Sequence, residues 1–299
     1  MLKEKVLITG AGGALAKKVK QRLLKEGYAV VTLTTDKKRL SSTSFYWNVG
    51  KGEIDKNALQ GCHHIVHLAG FSIVKPWTKE NQQKMYDSRV LSAKLLLEVC
   101  QNNQLSLKSF ISASAIGYYD NESHEIKQEE DPSGKDWLAQ LAKDWEQAAY
   151  GFKDFGARVI CMRISLLLDK ESGFLKAMLL SLKLGLGTIF GKGTNALEWI
   201  HIEDATNFVS HALKNNSIKG PYNLASEDKV SQKEFLTVLK QQYSKYALIV
   251  TIPSFVLRLI FGKRKVILEG GTRISVQKLK SSGYKWKYPT LQKALQKDT

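Results

Sequence analysis

The chain has 299 residues, 43% of them hydrophobic and 24% charged, which excludes a disordered polymer and allows one large α/β unit or a nucleotide-binding unit with a smaller appendage. The net charge is +17, and residues 263–299 supply ten Lys or Arg against Glu269 and Asp298. No nucleic-acid motif accompanies that surplus, so it reads as a solvated lysine-rich surface, and no nucleic-acid partner is expected.

Residues 5–9 form the first predicted strand. Residues 15–25 follow as a helix with Leu15, Val19, Leu23 and Leu24 on one face, closed by Gly27. Further strands are predicted at 29–33, 45–49, 64–68, 109–112 and 157–163, with helices at 87–100 and 137–150. Strands alternating with helices at this spacing predict parallel pairing. The expected fold is a Rossmann-type, doubly wound α/β sheet of about seven strands. Beyond residue 166 the rhythm weakens to a helix at 175–184, a short strand at 198–202, a helix at 204–214 and a strand at 222–224. The expected division is a core of residues 1–165, with 195–225 returning to its sheet. Residues 166–194 and 226–299 are expected to form a smaller lobe closing a cleft over the carboxyl ends of the strands. Cys62, Cys100 and Cys161 form no CxxC pair and no run of about 18 apolar residues exists, so a cytoplasmic chain without a membrane span is expected.

The strongest local signal is Thr9-Gly10-Ala11-Gly12-Gly13-Ala14-Leu15-Ala16, set where the first strand turns into the first helix. Gly10 permits the turn, Gly13 lets backbone approach a pyrophosphate, and the amides opening the helix at Ala14 and Leu15 favour its charge. At the end of the second strand, an NAD-binding chain usually carries an acid for the ribose hydroxyls. Thr34 stands there instead, followed by Asp36 and then Lys37, Lys38 and Arg39. Those cations suit a 2′-phosphate, so NADP(H) is the expected cofactor.

These residues resemble the extended, atypical short-chain dehydrogenase/reductases of the NAD-dependent epimerase/dehydratase superfamily, over essentially the whole chain. His67-Leu68-Ala69-Gly70 is similar to the superfamily's fourth-strand motif, which implies that the backbone of Leu68, Ala69 and Gly70 passes the cofactor. Trp199-Ile200-His201-Ile202-Glu203-Asp204 and Gly220-Pro221-Tyr222-Asn223-Leu224 are similar to its later sheet-closing segments. A narrower likeness, to the YfcH-like epimerase family proteins, rests on Pro76-Trp77-Thr78, Ser88-Arg89-Val90, residues 112–119, Asp144-Trp145-Glu146, residues 184–187 and residues 282–289. That likeness places Trp77 and Arg89 at the active cleft, Arg89 toward the cofactor.

Typical members of the superfamily exchange a proton through a Tyr-x-x-x-Lys helix. None of the eleven tyrosines here has Lys four residues on; Leu138 and Ala142 fill the two places. Two readings follow: an enzyme with a rearranged acid, acting on an unidentified small molecule, or a catalytically silent NADP(H)-binding sensor. For the first, Ser112 and Ser114 end the fifth strand, where the superfamily puts a substrate-orienting hydroxyl, and Ser114 is favoured. Ser112 then falls to the cofactor side. Tyr118 and Tyr119 are the candidate proton donors, and Lys84 and His201 stand as further substrate-side candidates. Cys62, His63, His64 and His67 give no metal site. On a strand, His63 and His67 lie about 13 Å apart, and His64 faces the other way. An oligomer is compatible with the sequence.

Overall fold

The structure is a computed structural model that describes residues 4–120 and 125–296. Strand β1 (Lys5–Ile8), helix α1 (Ala14–Lys25) and strand β2 (Ala29–Thr34) open the chain. β3 (Ser44–Asn48), a two-residue β4 (Glu53–Ile54) and β5 (His64–His67) follow, then helices α2 (Lys79–Tyr86) and α3 (Ser92–Asn102), β6 (Ser109–Ala115) and helix α4 (Trp137–Asp154). With the strands Arg158–Ile164 and Gly220–Leu224 they make an eight-stranded sheet. Its order is Gly220–Leu224, Arg158–Ile164, β6, β5, β1, β2, β3, β4. The pattern predicted about seven strands; the addition is β4, a short antiparallel edge with Trp47 opposite Ile54.

The strands read as apolar runs because both faces are covered. Val6, Leu7, Ile8, Ile65, Val66, Phe110 and Ile111 are sealed from solvent. α1 buries Ala16, Val19 and Leu23, spaced to share one helical stripe. α4 packs Phe152 on Phe110 with ring centroids 3.8 Å apart. Register aligns Val6 with Val30 on one side and with His64 on the other. The helix expected at 87–100 begins earlier, at Lys79, because Thr78 caps it by accepting from the Asn81 amide. A π-helical turn at Asp87–Leu91 joins α2 to α3.

The chain divides into two compact units. The first holds Met1–Tyr118, Lys135–Arg163 and Thr206–Tyr222; the second holds Tyr119–Gly134, Ile164–Ala205 and Asn223–Thr299. The second unit is built of short paired strands, such as Leu166–Leu168 with Trp199–His201 and Leu186–Phe190 with Leu248–Ile252. They surround a core of Leu175, Leu182, Trp199, Phe235, Leu236 and Leu291. Of the segment 195–225, expected to rejoin the main sheet, only Gly220–Leu224 does so. Trp199–His201 pairs with Leu166–Leu168 instead, and its fully buried tryptophan anchors the second core.

Candidate functional site

The chain runs from β1 outward through β2 and β3, then returns to β5 on the other side of β1. That reversal puts the loops after β1 and β5 at a topological switch point, where open α/β sheets bind ligands. Gly10 has φ +70°, and a Cβ there would stand 2.5 Å from the Leu68 carbonyl oxygen, so only glycine fits. The Gly13 amide donates to Gly10 O at 2.8 Å and closes the turn. Side chains at Gly12 and Gly13 would fill an otherwise open cradle: a Cβ at Gly12 would meet only Arg39, at 3.5 Å, and one at Gly13 only Gly10 O, at 3.3 Å. Above this cradle α1 begins with Gly13 as its cap, without a side-chain cap and without an acid in its first turn. The opening amides have no intrahelical acceptor, so an anion suits them.

The Arg39 guanidinium reaches this loop from the end of β2. Thr34 is buried and its hydroxyl accepts from the Asp36 amide at 3.1 Å. Asp36 then caps the turn Lys37–Arg39 by accepting from the Lys38 amide at 3.0 Å. The same carboxylate pairs with Arg39 Nε at 3.2 Å. The late acid is therefore spent on the turn and on Arg39, while Arg39 Nη1 points at Gly12. Lys37 lies over the Tyr46 ring, 5.2 Å from its centroid.

The loop after β5 is held by a buried chain of hydrogen bonds. Thr9 Oγ1 accepts from the Leu68 and Ala69 amides at 3.0 and 3.1 Å. Its own proton therefore goes to His67 Nδ1, 2.9 Å away. His67 carries its hydrogen on Nε2 and donates to Ser92 Oγ at 3.1 Å and Arg89 O at 3.3 Å. Burial pushes the His67 imidazole down to about 4. The π turn adds two clamps: Ser88 Oγ accepts from the Phe71 amide at 2.7 Å, and Arg89 Nη1 donates to Phe71 O at 3.0 Å. The Arg89 guanidinium lies 3.1 Å from where a Gly70 Cβ would stand, and over Trp145. It has no carboxylate partner among the described residues, and burial pushes it down to about 10. A desolvated, unpaired cation behind Gly70 is a second feature that suits an anionic ligand.

Burial of His67 makes stability depend on pH. An unfolded histidine titrates near 6.5, the folded one near 4. Between those values the unfolded chain binds the extra proton, so stability falls as pH drops, by up to about 1.4 kcal/mol per pH unit, and the loss is complete below the folded value. Urea midpoints measured across that window should fall with pH, and less steeply in His67→Gln than in the parent chain.

At the carboxyl end of β6, Ser114, Glu146 and Arg163 form one buried cluster. Ser114 donates to Glu146 Oε1 at 2.7 Å. Arg163 meets the same carboxylate bidentately, at 2.8 and 2.9 Å, with both side chains almost fully buried. The guanidinium carbon lies 3.6 Å from the Tyr118 ring centroid. Tyr118 is half-buried. Leu138 Cβ lies 3.9 Å from where a Gly117 Cβ would stand. Ser112 is buried and donates to Ala113 O. The Trp77 indole donates to Ile73 O and its ring packs on Trp137, 5.0 Å between centroids.

Three further candidates are engaged with partners inside the protein. Tyr119 is sealed in the second unit, its hydroxyl donating to Asn223 Oδ1 at 2.7 Å; a phenol locked in protein cannot serve a substrate. His201 is buried in that unit too, packed on Tyr288 at 3.9 Å, and burial pushes it down to about 4. Lys84 sits on exposed helix α2, paired with Glu80 one turn back. The mutual contacts of Thr9, His67 and Ser92, and the Glu146–Arg163 pair, join residues far apart in the chain and are not visible in the sequence. For the pair, the one sequence signal is an arginine ending an otherwise apolar strand.

Residues 6–225 match the NAD dependent epimerase/dehydratase family. Residues 252–297 match a domain of unknown function, DUF1731. The chain is 29% identical to the chloroplastic "Epimerase family protein SDR39U1 homolog" of Arabidopsis thaliana, over 97% of this chain and 85% of that one. It is also 29% identical to "Epimerase family protein ML0860" of Mycobacterium leprae, over 97% and 94%. Among solved structures it is similar to human epimerase family protein SDR39U1 with NADPH, at 25% identity, TM-score 0.86 and 97% coverage of both chains. UDP-glucuronic acid 4-epimerase from Bacillus cereus shares the fold, at 20% identity, TM-score 0.78 and coverage of 97% and 96%.

Proposed function

Because the chain belongs to the NAD dependent epimerase/dehydratase family, we propose that it is an NADP(H)-dependent oxidoreductase or epimerase-like enzyme of the atypical short-chain dehydrogenase/reductase type, acting on a small molecule. The observation that carries the cofactor choice is Arg39 Nη1 pointing at Gly12, beside uncapped helix amides. The human relative's structure with NADPH supports it. The amides at Ala14 and Leu15 hold the pyrophosphate, and Arg39 with Lys37 takes the 2′-phosphate. The backbone of Leu68, Ala69 and Gly70 lines the site, held by Thr9, His67 and Arg89. When bound, the nicotinamide supplies or accepts hydride.

Tyr118 is the acid of this reading. Its ring is set by Arg163, which Glu146 fixes in turn, and Ser114 is oriented by the same carboxylate. Tyr118→Phe should lower turnover by about a hundredfold or more while leaving NADPH binding within about twofold. The check is the NADPH absorbance followed against a panel of carbonyl compounds and sugar nucleotides; unchanged turnover in the variant defeats the assignment. A second reading, a silent NADP(H) sensor, is favoured by Leu138 beside Gly117 where a tyrosine usually stands. Tight NADPH binding, no turnover across the panel, and capture of a partner protein only in the presence of NADPH would select it.

A further inference from the structure

The second unit carries an apolar face that its own core does not use. Among the described residues the strand Leu248–Ile252 pairs only with Leu186–Phe190, and four of its five residues are exposed. Leu184 and Leu186 flank it, with the Leu248 amide donating to Gly185 O at 2.8 Å. Pro253 then turns the chain into helix Ser254–Phe261, of which only Leu257 is buried. Phe255 and Leu259 stand one turn apart on that helix, 74% and 86% exposed, with Ile260 beside them at 60%. Leu184 and Leu248 are exposed by 76% and 70%. Exposed apolar residues crowded into one short stretch of chain in this way mark a surface that meets something.

The charge around this face says what. Residues 172–197 and 235–268 contain no Asp or Glu, against nine Lys or Arg, and Glu269, whose carboxylate reaches Ser254 at the start of the helix, is paired with Lys265. Lys183, Lys245, Arg258 and Lys263 pair with no acid among the described residues. We propose that this face seats the protein on an anionic phospholipid surface. Phe255, Leu259 and Ile260 enter the boundary between headgroups and acyl chains, and the surrounding cations meet the phosphates. Attachment is peripheral: among the described residues no helix is long and apolar enough to cross a membrane. A nucleic acid would satisfy the cations and leave the leucines and the phenylalanine in water. An acid-poor rim with large apolar tips fits lipid better.

The test is flotation of the full chain with phosphatidylcholine vesicles, with and without phosphatidylglycerol, at low and high salt. Binding is expected only with phosphatidylglycerol and should weaken as salt rises. Phe255→Ser combined with Leu259→Ser should lower partitioning at least about tenfold. Arg258→Gln and Lys263→Gln should each lower it about fivefold. All four positions are exposed, so circular dichroism should show each variant folded. No flotation on anionic vesicles, or equal flotation on neutral ones, overturns the proposal. So does a dimer in lipid-free light scattering that the double variant abolishes, which would assign the face to a second copy of the chain. Salt-dependent retention on DNA without flotation overturns it as well.

Discussion

Glu146→Ala should destabilise the first unit by about 3–5 kcal/mol. The carboxylate is buried beside Ser114 and engages Arg163 through two hydrogen bonds. Its removal leaves a desolvated guanidinium without its paired anion and takes away the acceptor of the Ser114 hydroxyl. Protein domains hold only about 5–15 kcal/mol in total, so the variant should be close to unfolding at ambient temperature. The double replacement Glu146→Leu with Arg163→Met should recover most of the loss, because it removes both charges rather than one. Urea denaturation of the three proteins makes the comparison. A single variant within about 1 kcal/mol of the parent would mean that water or a neighbouring group compensates Arg163, and that the pair does not position Tyr118.

Arg39→Ala should weaken NADPH binding about tenfold to a hundredfold and leave NADH binding within about twofold. The 2′-phosphate is the only group that distinguishes the two dinucleotides. Arg39 is the cation that the turn Lys37–Arg39 aims at the glycine loop. Its side chain is largely exposed, so added salt should shrink the difference. Arg39→Lys should recover only part of it, because an ammonium lacks the planar fork that grips a phosphate with two hydrogen bonds. Equal losses for both dinucleotides would place Arg39 on the shared pyrophosphate instead.

How much of this was legible in the sequence depends on how local each feature is. The glycine loop could be read because strand, turn and helix are consecutive, and Gly10 and Gly13 act within one turn. The strands of the first unit could be read because burial on both faces leaves continuous apolar runs. The role of His67 could not, because its partner Thr9 lies 58 residues away. They meet only once β1 and β5 are known to be neighbours. What the strand places there is an imidazole inside a hydrogen-bond chain with Thr9 and Ser92. Glu146 reaches Arg163 across 17 residues, from helix α4 to the next strand, and no periodicity signals such a pair. In the second unit most strands span two to five residues, too short for alternation to register. That is why Trp199–His201 was expected in the main sheet when it pairs with Leu166–Leu168. Tyr119 and Tyr118 are adjacent in sequence, and only the fold separates a phenol sealed against Asn223 from one stacked on Arg163.

The proposed NADP(H) site is made of uncapped amides at the start of α1, with Arg39 beside Gly12. Isothermal titration of the full chain, freed of bound nucleotide, with NADPH and NADH at one salt concentration tests it directly. Saturable heat with NADPH, and binding to NADH weaker by about tenfold or more, is the expected result. No heat with either dinucleotide, or equal affinity for both, would contradict it.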